Sequence, residues 1–209
     1  MSSLRPPDPG ILQIARSEGR AGELIEAVAS CLVGLPLTEL TRMLDMICVG
    51  FGEVRLRPMP RDEASLTTPR KRELAERRDA TPMPLLALHI QCPFRLDSPT
   101  GPFVGAQDVY RLADPPHEWI EGRSKGDFSG CLFDARANEL PTDAAPMMVE
   151  AVHADAGGGL RIELSTGWSL VVAPSTAALH EHWRLFEPGG GEHLVVFEQS
   201  DVGEPLRTD

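Results

Sequence analysis

Residues 160–172 hold two short runs in which every second residue is apolar: Leu160, Ile162 and Leu164, then Trp168, Leu170 and Val172. Both runs bury one face only if residue 164 pairs with residue 168, because a slip of one position would turn every apolar side chain outward. That leaves Ser165-Thr166-Gly167 as a three-residue loop. Such loops commonly end in a residue with positive φ, which glycine adopts without steric cost, so turn chemistry and hydrophobic pattern agree. This part of the chain is committed to an antiparallel hairpin.

The same period of two runs through Leu86, Leu88, Ile90, Cys92, Phe94 and Leu96, with His89, Gln91 and Arg95 at alternate positions. The spacing predicts one half-buried strand over 86–96 with a polar row on its second face. Residues 46–57 read as another long strand, in which Gly50 and Gly52 mark a bulge or a close approach. Residues 103–110 are expected to return as the hairpin partner of 86–96, and 147–155 to form a strand. A second hairpin is expected from 181–186 and 193–198 around a Pro/Gly-rich turn. Over 21–33, Leu24, Ile25, Val28, Ala29 and Leu32 recur at helical spacing, and Gly34 stands where such a helix would end. Thr38 is a candidate cap for a second short helix carrying Leu40, Met43 and Leu44, and 129–140 hold a third. Helices followed by a run of antiparallel strands give an α+β fold, with N-terminal helices packed on a curved, mainly antiparallel sheet. A parallel doubly wound sheet is disfavoured, because helical segments do not alternate with strands.

A single domain over 11–198 is expected, preceded by a proline-rich disordered arm (1–10) and followed by an acidic tail (199–209). Residues 58–84, with prolines at both ends and a charged centre from Arg70 to Arg78, read as an insertion between two strands. The formal charge of −11 repels phosphate backbones and anionic lipid and favours basic partners. Nucleic acid and membrane surfaces are therefore not the expected partners. No apolar run approaches the roughly 18 residues that a membrane helix needs, and no secretory leader pattern is present. Cys31, Cys48, Cys92 and Cys131 stand far apart in a chain that needs no disulfide, which points to thiols in a reducing, cytoplasmic setting.

Candidate sites follow from the same patterns. His89, Gln91 and Arg95 offer an imidazole, an amide and a guanidinium on one strand face, with Asp108 or Tyr110 as the next members if the neighbouring strand lies beside them. The same alternation would also produce a plain solvated sheet face. His180 and His182 form a His-x-His pair, and His193 lies on the opposing strand of the expected hairpin, a weak pattern for zinc or another transition metal. Trp183 and Arg184, in a stretch of unusually large side chains, are either core or an anchor for a partner. Cys92 falls on the apolar parity, where burial makes a thiol inert. Asp127-Phe128-Ser129-Gly130 is no nucleophile elbow, and Gly50-Phe51-Gly52 lacks the third glycine of a dinucleotide loop. No catalytic residue and no cofactor is assigned.

Leu-Val-Gly-Leu-Pro-Leu (32–37), Ala-Leu-His-Ile-Gln-Cys-Pro-Phe-Arg (87–95), Val-Gly-Ala-Gln-Asp-Val-Tyr (104–110) and Trp-Arg-Leu-Phe-Glu-Pro (183–188) resemble a family of small uncharacterised bacterial proteins, chiefly actinobacterial. The resemblance spans most of the chain and implies no activity and no site residue. The expectation is a non-enzymatic module that holds another protein, conceivably as an immunity-type or antitoxin-type inhibitor or a scaffold, with self-association left open. The alternative is a ligand-binding or hydrolytic domain with a polar pocket around His89.

Overall fold

The computed structural model describes residues 11–15, 21–56, 68–69, 82–114, 130–140, 146–175, 181–190 and 193–197. The expected arm (1–10), the acidic tail (199–209) and most of the 58–84 insertion lie outside these residues. The strands are β1 (Ile11–Ala15), β2 (Pro36–Met43), β3 (Met46–Phe51), β4 (Arg55–Leu56), β5 (Pro82–Met83), β6 (Leu86–Ile90), β7 (Phe94–Ser98), β8 (Gly101–Gly105), β9 (Met147–Ala154), β10 (Leu160–Leu164), β11 (Ser169–Val172), β12 (Glu181–Phe186) and β13 (His193–Phe197). Helix α1 (Ala21–Ala29) runs into a 3-10 turn at Ser30–Leu32, α2 spans Leu132–Asn138, and a further 3-10 turn covers Ala106–Tyr110. The fold is α+β, as the order of patterns predicts.

Among the described residues, eleven strands lie side by side in the order β1-β13-β12-β6-β3-β2-β9-β10-β11-β7-β8, antiparallel except for β1 on β13. Strands β6 and β7 stand fourth and tenth, yet only Gln91, Cys92 and Pro93 separate them in the chain. Those residues can bridge at most about 14 Å, whereas six strand spacings in a flat sheet would need about 29 Å. The sheet must therefore roll back on itself. Two hydrogen bonds mark the crossing: Gln91 N donates to His182 O (2.8 Å), and Ala173 N, just past β11, donates to Pro93 O (2.8 Å).

This corrects the expectation of one strand over 86–96. Pro93 supplies no N–H and restrains Cys92, so the ladder stops there and the chain passes from one half of the rolled sheet to the other. Parity survives the break because one interior serves both halves: Leu88, Ile90, Cys92, Phe94 and Leu96 are buried, while Gln91 and Arg95 are exposed. Around this interior gather Leu37, Val49, Phe51 and Trp183 from the β6 half and Met147, Ile162, Leu164 and Leu170 from the β7 half. Ile25 and Leu32 of the α1 segment and Phe133 of α2 complete it. Arg42 on β2 ties α2 down through a paired contact with Asp134 (2.7 and 2.6 Å).

The hairpin over 160–172 has the register its pattern demands, with Leu160 opposite Val172, Ile162 opposite Leu170, and Gly167 at φ +80°. The Thr38-capped helix does not form, since 36–43 is strand β2. A bulge between Leu37 and Glu39 explains the misreading: the inserted residue moves the next buried side chain from Leu37 to Leu40, an interval of three that imitates a helix. The following hairpin turns on Leu44 and Asp45, with Leu44 held at φ +60°. Of the segment 103–110, only the part up to Gly105 pairs with β7, and the rest is the 3-10 turn. Gly50 is a close approach, since a Cβ there would lie 2.9 Å from Glu39 Cβ and 3.0 Å from Pro84 Cβ.

Candidate functional site

The outer surface of β3, β6, β12 and β13 carries His89, Arg184 and His193 of the residues that the sequence singles out. Cross-strand register sets Cys48 opposite His89, His89 opposite Arg184, and Arg184 opposite Val195, so that one row crosses four strands. The adjoining row runs Gly50, Ala87, Phe186, His193. Directly opposed side chains in such ladders have Cβ atoms about 5 Å apart, close enough to touch. The His89 ring meets Phe186 edge-on at 4.6 Å between centroids, and Phe186 stacks on His193 at 5.1 Å and 12°.

A second bulge shapes this face. Between Glu181 and Trp183 the register slips, so His182 is the extra residue and Glu181 shares the outer face with Arg184. The Arg184 guanidinium lies on the Glu181 carboxylate, Nε to Oε1 at 2.6 Å with Nη2 on Oε2 beside it, and Gln91 Nε2 approaches Oε1 at 3.5 Å. Trp183 points the other way. It is fully buried, and its Nε1 donates to Gly158 O at 2.8 Å, so of the two expected anchors Trp183 is core and only Arg184 is surface.

The electrostatics of the row oppose nucleophilic chemistry. Burial, aided by the Glu39 charge, pushes the Cys48 thiol up to about 11, and it stays protonated at neutral pH. Burial, with Arg184 and His193 adding to it and Glu181 opposing, holds His89 below its ordinary 6.5, so the imidazole is neutral. Thiolate and imidazolium are thus both disfavoured where they would have to pair. Burial also raises Cys31 and Cys131.

The other expected members are dispersed. Arg95 sits on the far half of the sheet and closes on Asp97 (2.6 and 2.9 Å). Asp108 accepts a hydrogen bond from Gly105 N (2.8 Å) and shapes the 3-10 turn. Gln91 and Tyr110 do come together, at a cavity of about 240 Å³ beneath the β6–β7 crossover, which Asp45 and Gln107 also line. Of the expected metal set, His180 lies outside the described residues, His182 is buried, and His193 is half-buried on the outer face. Among the described residues no group of three or more His, Cys, Asp or Glu side chains gathers to hold a metal.

Cys48, Phe186, Glu181 and Asp45 were not singled out in the sequence. Only strand order brings them to their neighbours; the single local hint was the run of large residues around 183–186. Compared with known proteins, the chain matches no family model, no curated protein and no solved structure.

Proposed function

We propose that the chain is a non-enzymatic binding module, of immunity or antitoxin type, that seats a basic protein on the outer face of β3, β6, β12 and β13. One observation carries the reading. On a chain with a formal charge of −11, this face is poor in charge: Arg184 and Glu181 satisfy one another, the remaining groups are Cys48, neutral His89, Gln91, Phe186 and His193, and the Glu39 carboxylate stands only at its β2 edge, opposite Gly50. Protein interfaces have this composition, poor in charge at the centre and enriched in aromatic residues and arginine. The net acidity of the chain attracts a basic partner, and at the seat the aromatic row meets it with little charge to desolvate. It also disfavours phosphate backbones and anionic membranes as partners. No disulfide joins the four cysteines, which fits a reducing cytoplasm. No helix among the described residues is long and apolar enough to cross a membrane.

The test uses the full chain as bait in a lysate of its native cell, alongside Phe186→Glu and, as control, Val33→Glu beyond α1. The expected result is a basic protein retained by the wild type and the control, released by raised salt and lost with Phe186→Glu; Arg184→Ala weakens it with less risk to the fold. A retained protein indifferent to all of these substitutions, or no basic protein at all, overturns the proposal.

A further inference from the structure

At the end of the rolled sheet the β6–β7 crossover, the β2–β3 turn and the 3-10 turn enclose the cavity of about 240 Å³. That is room for about eight waters, or for a ligand smaller than a nucleotide. Its floor is apolar, with Ile47 and Phe94 both buried. Its rim is polar, with the amides of Gln91 and Gln107 and the exposed carboxylate of Asp45. Asp45 makes no ion pair among the described residues. The nearest arginine in sequence, Arg42, spends its guanidinium on Asp134 at 2.7 and 2.6 Å and on the Leu44 carbonyl at 2.9 Å, and does not line the cavity. No cationic side chain occurs among the described residues that line the cavity.

We propose that this cavity is a binding site for a small organic amine in its ammonium form, its carbon skeleton over Ile47 and Phe94 and its head group at Asp45, Gln91 and Gln107. An ammonium brings only donors. The rim answers with a carboxylate and two amide carbonyls, whereas a carboxylate ligand would meet Asp45 with like charge and find no cation. The field of Asp45 reaches into the cavity: after burial, its charge is the second cause that raises the Tyr110 phenol above its ordinary value. This site shares only Gln91 with the outer sheet face, and Asp45 and Phe186, the residues that the two tests alter, belong to one site each, so either proposal can fail without the other.

The test titrates the isotopically labelled full chain with three probes that share one skeleton, isopentylamine, 3-methylbutan-1-ol and isovalerate, and follows backbone amide shifts. The expected result is saturable shifts at Gln91, Ala106, Gln107 and Tyr110 with the amine, weaker ones with the alcohol and none with isovalerate. Asp45→Asn, on an exposed turn, should weaken the amine about fivefold and leave the alcohol unchanged, the size of a partly exposed ion pair. Glu23→Gln at the distant α1 should change neither. No saturable shift at these amides, equal binding of amine and isovalerate, or an Asp45→Asn variant that binds the amine as well as wild type would each overturn the proposal.

Discussion

Two outer faces of one rolled sheet, built by the same antiparallel pairing, differ in kind. On β9, β10, β11 and β7 the outward row runs His153, Arg161, Val171, Arg95, flanked by Glu163 and Asp97. Its arginines stand in water: Arg161 meets Glu163 at 3.3 Å with side chains 50% and 44% exposed, and Arg95, 55% exposed, closes on Asp97 at 2.6 Å. On β3, β6, β12 and β13 the equivalent row runs Cys48, His89, Arg184, Val195, and among the described residues its ion pair has the drier arginine, Arg184 at 35% on Glu181 at 18%. Alternation requires something other than core on both faces. It does not require aromatics, a thiol and a neutral imidazole on one of them. The second face is therefore the one whose composition needs a reason, and the partner we propose would supply it.

The largest expected effect lies beneath that face. Trp183→Ala removes a fully buried indole and its bond to Gly158, and should cost about 3–5 kcal/mol in a urea unfolding curve, enough to threaten the fold. A loss no larger than that of a surface substitution would mean that the two halves do not share one core. On the face itself, Phe186→Ala unstacks both His89 and His193 and should cost about 1–2 kcal/mol by the same measurement. Leu44→Asn probes the turn between β2 and β3, where an exposed leucine holds a conformation that asparagine tolerates, and should raise stability by about 1 kcal/mol in thermal unfolding. Arg161→Ala on the solvated face should stay within about 0.5 kcal/mol of wild type. Equal costs for Phe186→Ala and Arg161→Ala would erase the contrast between the faces.

The smallest effect is a pH dependence. Because His89 titrates lower in the folded chain than its unfolded value of 6.5, its contribution is complete above that value. It is lost as pH falls through the window between 6.5 and the lower folded value, where the unfolded state takes up the proton first. Urea midpoints measured above and below this window should fall further for wild type than for His89→Phe, which has no proton to gain.

What could be read from sequence depended on how local its cause was. The hairpin over 160–172 was legible to the residue, because pattern and glycine lie within thirteen positions. The parity of 86–96 was legible, but its division was not: Pro93 marks a break, and only the partners of β6 and β7 show that the break joins two halves of a rolled sheet. Strand β2 was misread because a bulge gives Leu37 and Leu40 a helical interval. Strand β1 left no readable sign, since the strand it pairs with among the described residues, β13, lies far along the chain. The candidate site shows the same limit. His89 and Arg184 are visible separately, and Arg95 shares the outward parity of His89 yet lies on the other half of the sheet, because adjacency across β3, β6 and β12 is a property of strand order rather than of any short segment.

Hydrogen exchange measured with and without the captured basic protein tests the central claim most directly. Binding on the charge-poor face predicts slowed exchange in β3, β6, β12 and β13 and unchanged exchange in β9, β10 and β11. Protection confined to β9–β11, or none on either half, would contradict it.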